Sequence, residues 1–508
     1  MHATWLTDAV CLTEAGTGFW RLALRHVEIR EGRIAALHAD PPVPRAGEMV
    51  MAAAGLLVIP GLVNAHTHSP DNLIRGSAPD LPLELWSLHS AAGREQRSPR
   101  EVYLSALLGC AEMLRGGVTT VLDHIRFSPA MAPETLDAVA QAYRDAGMRA
   151  VIAPVLADRA VADTMPLEPA DLAGLDIAAY GSRPAMPAAE QIALVTDFVR
   201  RWHGHEGRLS AAIGPSAPQR CSDALLLAAG GLAARHDLIM HMHLLETQAQ
   251  REMGLRLYGR GMVAHLVELG LLGPRLNLAH ALWLEEGDLD LLARHDAAVV
   301  HNPVSNARLG SGTFGLRRMR AAGVRVALGT DSACCNDSNN LLETMKAATL
   351  LTRRPDLAPE AWVTPGQVLS MAISGGADVL GLGAMTGRLA PGMAADLTLL
   401  RIASPAFAPL LDVVRQLVLG ETGAAIDSVM VAGQLVLRHG RCTTLDETAI
   451  WAEAQALAEG RLRLVLCKPG ISGSNAIALP TPSTGLDRMV QALQGYTKSQ
   501  QVVSALAA

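Results

Sequence analysis

The chain has 508 residues, 50% of them hydrophobic and 18% charged, with a formal net charge of -6. That length exceeds one small domain and suits a large catalytic domain with an accessory one. The mild acidic balance argues against a nucleic-acid surface or a polybasic membrane patch, and 3% aromatic residues leave little for stacking bases. Seven scattered cysteines suit reduced thiols in the cytoplasm better than a disulfide framework. Met1 to Asp8 has no basic region leading into a long apolar run, so no signal peptide is expected, and no apolar stretch of about 18 residues is present to span a membrane.

Residues 1–58 read as short strands and turns. Val27-Glu28-Ile29-Arg30 alternates, Glu31-Gly32 turns, and Arg33 to Leu37 returns, which is a hairpin pattern. The apolar run Gly55 to Val63 leads into Asn64-Ala65-His66-Thr67-His68, where two histidines spaced by two share one face of a strand end. From there a rhythm sets in. Strand-like runs end at His68, near Asp123-His124, at Pro154 to Asp158, and at Gly214-Pro215; four more end at Glu246, His280, His301-Asn302 and Asp331. Amphipathic segments lie between them, the clearest being Val102 to Leu114, stopped by Gly116-Gly117. Strands alternating with helices give right-handed βα units and a parallel sheet. Eight units over roughly 270 residues match a closed (β/α)8 TIM barrel of α/β class, assigned to residues 59–384.

Active sites of that fold sit at the C-terminal ends of the strands, where the polar candidates also fall. His241-Met-His243-Leu-Leu-Glu246 follows the apolar lead-in Leu238-Ile239-Met240, so His241 and His243 share a face and Glu246 lies where the strand breaks. Singly, such a histidine is more often a satisfied core residue, Asp331 a turn or helix-cap aspartate, and His280 a buried donor to backbone. Together, at matching strand ends, imidazoles and a carboxylate suit Zn²⁺ or Fe²⁺ with a position left for water.

The motifs Pro60 to His68, His243-Leu-Leu-Glu246, Ala279-His280, His301-Asn302-Pro303-Val304-Ser305-Asn306 and Gly329-Thr330-Asp331-Ser332 resemble the amidohydrolase superfamily. Within it they resemble the branch of triazine hydrolases, guanine deaminases and methylthioadenosine/S-adenosylhomocysteine deaminases, over about residues 20–445. The resemblance implies one divalent ion, zinc with iron as the alternative, held by His66, His68, His243 and Asp331. It implies Glu246, His280 and Asp331 as catalytic groups: Asp331 taking a proton from water, Glu246 protonating a ring nitrogen and the leaving amine, His280 orienting the attacking oxygen. His241 then buttresses the strand. The absence of a lysine in Leu209 to Pro215 implies one metal rather than a bridged pair, and Ser216, where nucleoside-deaminating relatives often carry histidine, speaks against methylthioadenosine or S-adenosylhomocysteine as the substrate. The implied reaction is hydrolytic deamination of an amino-substituted nitrogen heterocycle; dechlorination or cyclic amide hydrolysis is the alternative. A non-catalytic assembly role on this fold is disfavoured by the complete ligand set.

Residues that could bind the heterocyclic substrate are Arg75, Trp86, Gln219, His301, Asn302, Ser305 and Asn306, with Asp71, Asn72 and His89 in the long first loop that holds Arg75 and Trp86. Trp86 is read equally as a cover for a planar ring or as lid packing, Asp123 and His124 as supports, and Cys334-Cys335 as packed thiols rather than pocket or metal groups. Residues 385–445 return to strands, including a hairpin around Gly433-Gln434, and are expected to complete a small discontinuous β-sandwich with residues 1–58. Residues 446–508 read as a C-terminal helix and a Gly/Ser/Pro/Thr-rich tail from Lys468, a flexible arm or a clasp on a neighbouring subunit of a homodimer or larger homo-oligomer. No nucleic-acid or membrane partner is expected.

Overall fold

The computed structural model describes residues 3–78, 80–87, 97–126, 131–166, 186–353 and 355–466. His89 and the tail from Lys468 lie outside the described residues. The N-terminal strands are Thr4–Gly16 (β1), Phe19–Arg30 (β2), Arg33–His38 (β3), Met49–Ala52 (β4) and Leu56–Pro60 (β5). Leu62–Thr67 (β6), Val118–Ile125 (β7) and Arg149–Leu156 (β8) begin a parallel series, followed by Leu209–Ala211 (β9) and Gly214–Pro215 (β10), two pieces of one strand position. Met240–Leu244 (β11), Leu276–His280 (β12), Ala298–His301 (β13) and Arg325–Leu328 (β14) complete it. Leu397–Arg401 (β15), Ile426–Val431 (β16), Gln434–Arg438 (β17) and Arg441–Cys442 (β18) come last.

The parallel strands form two sheets, β10-β8-β7-β6 with β9 on β8, and β11-β12-β13-β14. Backbone bonds join both seams. The Ile213 amide donates to the Ile239 carbonyl (3.0 Å) and the His241 amide to the Ile213 carbonyl (2.9 Å) on one side; the Asp331 amide donates to the His66 carbonyl (2.9 Å) on the other. The result is a TIM-barrel-like ring, and its strand ends fall where the apolar rhythm placed them. Small apolar side chains fill its interior, among them Val63, Ala65, Val151, Ala153, Ala212, Ala298 and Ala327. A larger apolar layer lies between strands and helices. The expected helix runs Pro99–Arg115, opened by a capping box in which Ser98 and Glu101 bond reciprocally. It stops at Gly116-Gly117, where Gly117 takes φ 76°.

Strands from both ends of the chain share one nine-stranded sheet, in the order β18-β17-β16-β15-β5-β1-β2-β3 with β4 on β1. The join is β5 antiparallel to β15, with Val58 opposite Leu399. The sheet strand β5 runs two residues past position 58, to Pro60. The β2–β3 hairpin turns at Glu31 (φ 51°) and Gly32 (φ 73°), the left-handed pair that a two-residue turn needs. The other hairpin turns at Ala432 (φ 48°) and Gly433 (φ 77°), one residue earlier than its sequence suggested. These turns touch: a Cβ on Gly32 would sit 2.5 Å from the Ala432 carbonyl oxygen, and one on Gly433 2.7 Å from the Gly32 Cα. Residues 446–466 include the expected helix, Glu447–Leu466. No helix among the described residues is long and apolar enough to cross a membrane. The six described cysteines are free thiols.

A buried ion pair ties sheet to barrel. Arg149, at the start of β8, donates from Nε to Asp396 Oδ2 (2.8 Å) and from Nη2 to Oδ1 (3.2 Å), with both side chains almost fully buried. Asp396 Oδ1 also accepts from the Ala432 amide (2.7 Å). Removing one partner of such a pair leaves a desolvated charge. Asp396→Ala is therefore expected to destabilise by about 3–5 kcal/mol, read as a lower urea midpoint; a loss under about 1 kcal/mol would show that water replaces the carboxylate.

Candidate active site

The ends of β6, β11, β12 and β14 converge. His66 and His68 Nε2 each lie 3.4 Å from Asp331 Oδ1, and His68 Nε2 lies 3.3 Å from His243 Nε2. His280 Nε2 lies 3.7 Å from Glu246 Oε2 and 3.8 Å from Asp331 Oδ2. All six side chains are buried. Their placement requires uncommon backbone: Leu245 (φ 47°), His280 (φ 75°), Ala281 (φ 49°) and Asp331 (φ 61°) are left-handed without being glycine.

Hydrogen bonds set the imidazole tautomers. His68 Nδ1 donates to the His124 carbonyl (2.5 Å) and His243 Nδ1 to the Ser216 carbonyl (2.7 Å), so both Nε2 atoms carry bare lone pairs that face each other. His66 Nδ1 bonds His241 Nε2 (2.8 Å), and its buried Nε2 has no hydrogen-bond partner among the described residues. Facing lone pairs and an orphaned buried nitrogen ask for a cation. The spacing agrees: four ligands at about 2.0–2.1 Å from a tetrahedral ion stand roughly 3.4 Å apart, against observed edges of 3.3 and 3.4 Å. The residues therefore fit a divalent ion.

Burial dominates the electrostatics. It lowers the pKa of His66 and holds His68, His241 and His243 well below the ordinary value, in the neutral form that metals bind. Burial would raise Asp331, but the adjacent imidazole of His66, then those of His280 and His68, hold it well below the usual carboxylate range. Burial pushes Glu246 up to about 7, against the pull of His280, so this carboxyl can hold a proton near neutrality.

The family profile described as "Amidohydrolase family" matches residues 57–436. The chain belongs to the amidohydrolase family. It is a hydrolase acting on carbon–nitrogen bonds, and its similarity extends over most of its length. A 5-methylthioadenosine/S-adenosylhomocysteine deaminase of Desulforudis audaxviator is 35% identical over 89% of this chain and 97% of that relative. A 5'-deoxyadenosine deaminase of Methanothermobacter thermautotrophicus is 34% identical over 85% of this chain and 93% of that relative. Among solved structures, an adenosine deaminase from Xanthomonas campestris with bound zinc superposes with a TM-score of 0.78 at 28% identity, covering 91% of this chain and 99% of that one.

This amidohydrolase brings together the six residues singled out at the strand ends, and the other candidates divide. Gln219 is buried in the turn Pro218–Arg220, its Oε1 unpartnered among the described residues. Asn302 Nδ2 lies 3.5 Å from both ring nitrogens of His280. His301 stacks on Phe314 (4.2 Å between centroids) rather than joining the cluster. The Ser305 hydroxyl donates to Asp331 Oδ2 (2.6 Å), which commits it to that carboxylate instead of a substrate. Arg75 is not brought in: it pairs with Glu112, half-exposed. Trp86 donates from Nε1 to the Cys334 carbonyl (3.3 Å) and packs with Ile74, Leu309 and the Cys334-Cys335 thiols, the packing alternative for both motifs. Asp71 accepts from Ser332 (2.6 Å) and Asn72 donates to the Ser69 and Ser105 carbonyls, so both tie loops.

The sequence reading missed two groups, Arg126 and Glu84. Arg126 Nη2 lies 3.5 Å from the Nε2 atoms of both His68 and His243. It stands two residues past His124, so strand alternation could have found it. Asn306, a substrate candidate by its sequence position, instead accepts from His280 Nδ1 through Oδ1 (2.8 Å). Glu84, in a helical turn over residues 83–87, accepts from Thr247 (2.5 Å) and is raised by burial; nothing in its local sequence signals this.

Gly329, between β14 and Asp331, leaves no room for a side chain. A Cβ there would lie 2.5 Å from Asn302 Oδ1 and 2.7 Å from His66 Cβ. Gly329→Ala should cost about 1–3 kcal/mol and lower metal retained per chain, measured by denaturation and elemental analysis. A fully stable, metal-replete variant would contradict this packing.

Proposed function

We propose that the protein hydrolytically deaminates a 6-aminopurine nucleoside altered at its 5' position and releases ammonia. The convergence of Glu246, His280 and Asp331 on the three imidazoles carries this reading, and the names of the two relatives support its substrate class. His66, His68, His243 and Asp331 would hold one divalent ion, taken as zinc on the nitrogen and oxygen donors and the zinc-bearing neighbour. When bound, it supplies Lewis acidity that makes water a nucleophile near neutral pH.

This chain's own groups do the rest. Asp331, held ionised, accepts the proton of the attacking water. Ser305 and the Ser332 amide hold that carboxylate at 2.6 and 2.7 Å. Glu246 delivers a proton to the ring nitrogen beside the amino-bearing carbon, which draws electrons from that carbon and opens it to attack. The amine then takes the proton held by Asp331 and departs as ammonia, while the proton of the new hydroxyl passes to Glu246 as the carbonyl forms. His280, its Nδ1 fixed by Asn306, orients the attacking oxygen through Nε2. The buried walls exclude bulk water from these transfers.

Arg126, Arg159 and Arg220 favour one substrate within the class. Arg159 bonds the Gln219 carbonyl and the Tyr258 hydroxyl, and Arg220 bonds Thr164; none has a carboxylate partner among the described residues. That surplus of positive charge suits an arm bearing a carboxylate, as in the S-adenosylhomocysteine of the relative's name. The reading also takes the two-ended sheet as a β-sandwich domain of residues 1–58 and 385–445 around the barrel of 59–384, and the protein as a cytoplasmic homo-oligomer.

Ammonia release should be fastest with S-adenosylhomocysteine or methylthioadenosine, slower with 5'-deoxyadenosine or adenosine, and absent as chloride release from a chlorinated s-triazine. Chloride without ammonia would transfer the protein to the alternative reaction. Glu246→Gln should lose turnover by about 10²–10⁴-fold while keeping its metal. A chelator should abolish turnover and zinc restore it; activity that survives full metal removal would end the proposal.

A further inference from the structure

His124 ends β7 in the middle of the histidine cluster. Its buried ring lies 5.0 Å from that of His243 and 5.6 Å from that of His68, both within 33° of parallel, and meets His241 edge-on at 5.2 Å. His68 and His243 are themselves stacked at 5.3 Å. The three rings form one triangle, so neither ligand imidazole can tilt toward His124 without striking it.

Two polar contacts fix this support. The His124 carbonyl accepts from His68 Nδ1, which sets that tautomer from the backbone. Its side chain donates from Nε2 to the Gly214 carbonyl (3.1 Å), pinning the ring against β10. Gly214 is shaped for it: a Cβ there would lie 2.9 Å from His124 Cδ2 and 2.7 Å from the Pro154 carbonyl oxygen. His66, His68 and His124 could by their spacing be ligands to one ion. His124 spends Nε2 on the Gly214 carbonyl, so only its buried Nδ1, unpartnered among the described residues, remains to ligate, whereas the four residues of the expected set already complete a tetrahedral ion.

We propose that the His124 side chain is a positioning residue for the metal, holding the His68 and His243 imidazoles in their ligating orientation through ring packing and its bond to Gly214. This rests on reading His68 and His243 as ligands. It adds a residue outside the expected ligand set and separates what its side chain does from what its carbonyl does.

The test uses the full-length metalloprotein and His124→Ala, His124→Phe and His124→Gln, with His68→Ala as control. Zinc affinity is measured by chelator competition, and geometry by the visible spectrum after cobalt substitution. His124→Ala should weaken zinc by about 10–100-fold and shift the cobalt band. His124→Phe, a ring without the donor, should also weaken it. His124→Gln, whose planar amide can take the ring's place against both imidazoles and reach the Gly214 carbonyl, should recover most of the affinity and the spectrum. Should the alanine variant fail to fold, the Phe and Gln pair decides alone. Wild-type affinity and spectrum in the Ala or Phe variant overturn the proposal. Gln losing as much as the others overturns it too, because His124 is then itself a ligand. A wild type that holds no zinc, or a His68→Ala that holds it normally, removes the ligand reading first.

Discussion

One closure determines the site: the eighth barrel strand must meet the first. The Asp331 amide reaches the His66 carbonyl (2.9 Å), while Asn64 and Thr330 exchange bonds of 2.8 and 3.0 Å just below. These are residues more than 260 positions apart. Their pairing brings the aspartate carboxylate beside two imidazoles, and the absence of a side chain at Gly329 permits the approach. Without it Asp331, just past β14, would stand apart from the imidazoles on β6.

The ring is made of ordinary parts, and its strain gathers at the chemistry. Strand interiors are small and apolar, and apart from register shifts where β6 pairs with β7 the barrel ladders run in even register. Left-handed residues then appear at the last positions of β12 and just beyond β11 and β14, where side chains must leave the strand direction to point at a common centre. Tertiary bonds over-determine them. Asp331, for example, is held by its own amide, by the Ser332 amide and by Ser305. Rigid anchoring of this kind keeps lone pairs aimed at one point despite their mutual repulsion.

Much of this was legible because two periodicities are strong in the chain. Strand alternation put His66 with His68 and His241 with His243 on shared faces, and eight apolar runs ending in polar residues announced a barrel mouth. What the spacing could not supply was direction after the strand stops. Ser305 and Arg75 were both plausible readers of a substrate by position, yet a helical turn aims the first at Asp331 and Glu112 draws the second outward. Glu84 was invisible for a related reason: its importance comes from Thr247, far along the chain, and from burial that no local pattern encodes. The Ala432-Gly433 turn was displaced by one residue because either neighbour of Gly433 could serve as the second left-handed position.

The shared sheet has a consequence for biogenesis. Strand β5 leaves the ribosome early, but its partner β15 is encoded more than 300 residues later. At about 5–20 residues per second, that interval is on the order of tens of seconds, during which the amino-terminal strands present an open edge. Chaperones that shield β-edges have their longest opportunity here. The nascent barrel can begin to assemble in the meantime, but the Gly32 and Gly433 turns can seal against each other only after most of the polypeptide has been made. The shared sheet is thus fastened last at strands made long before their partners.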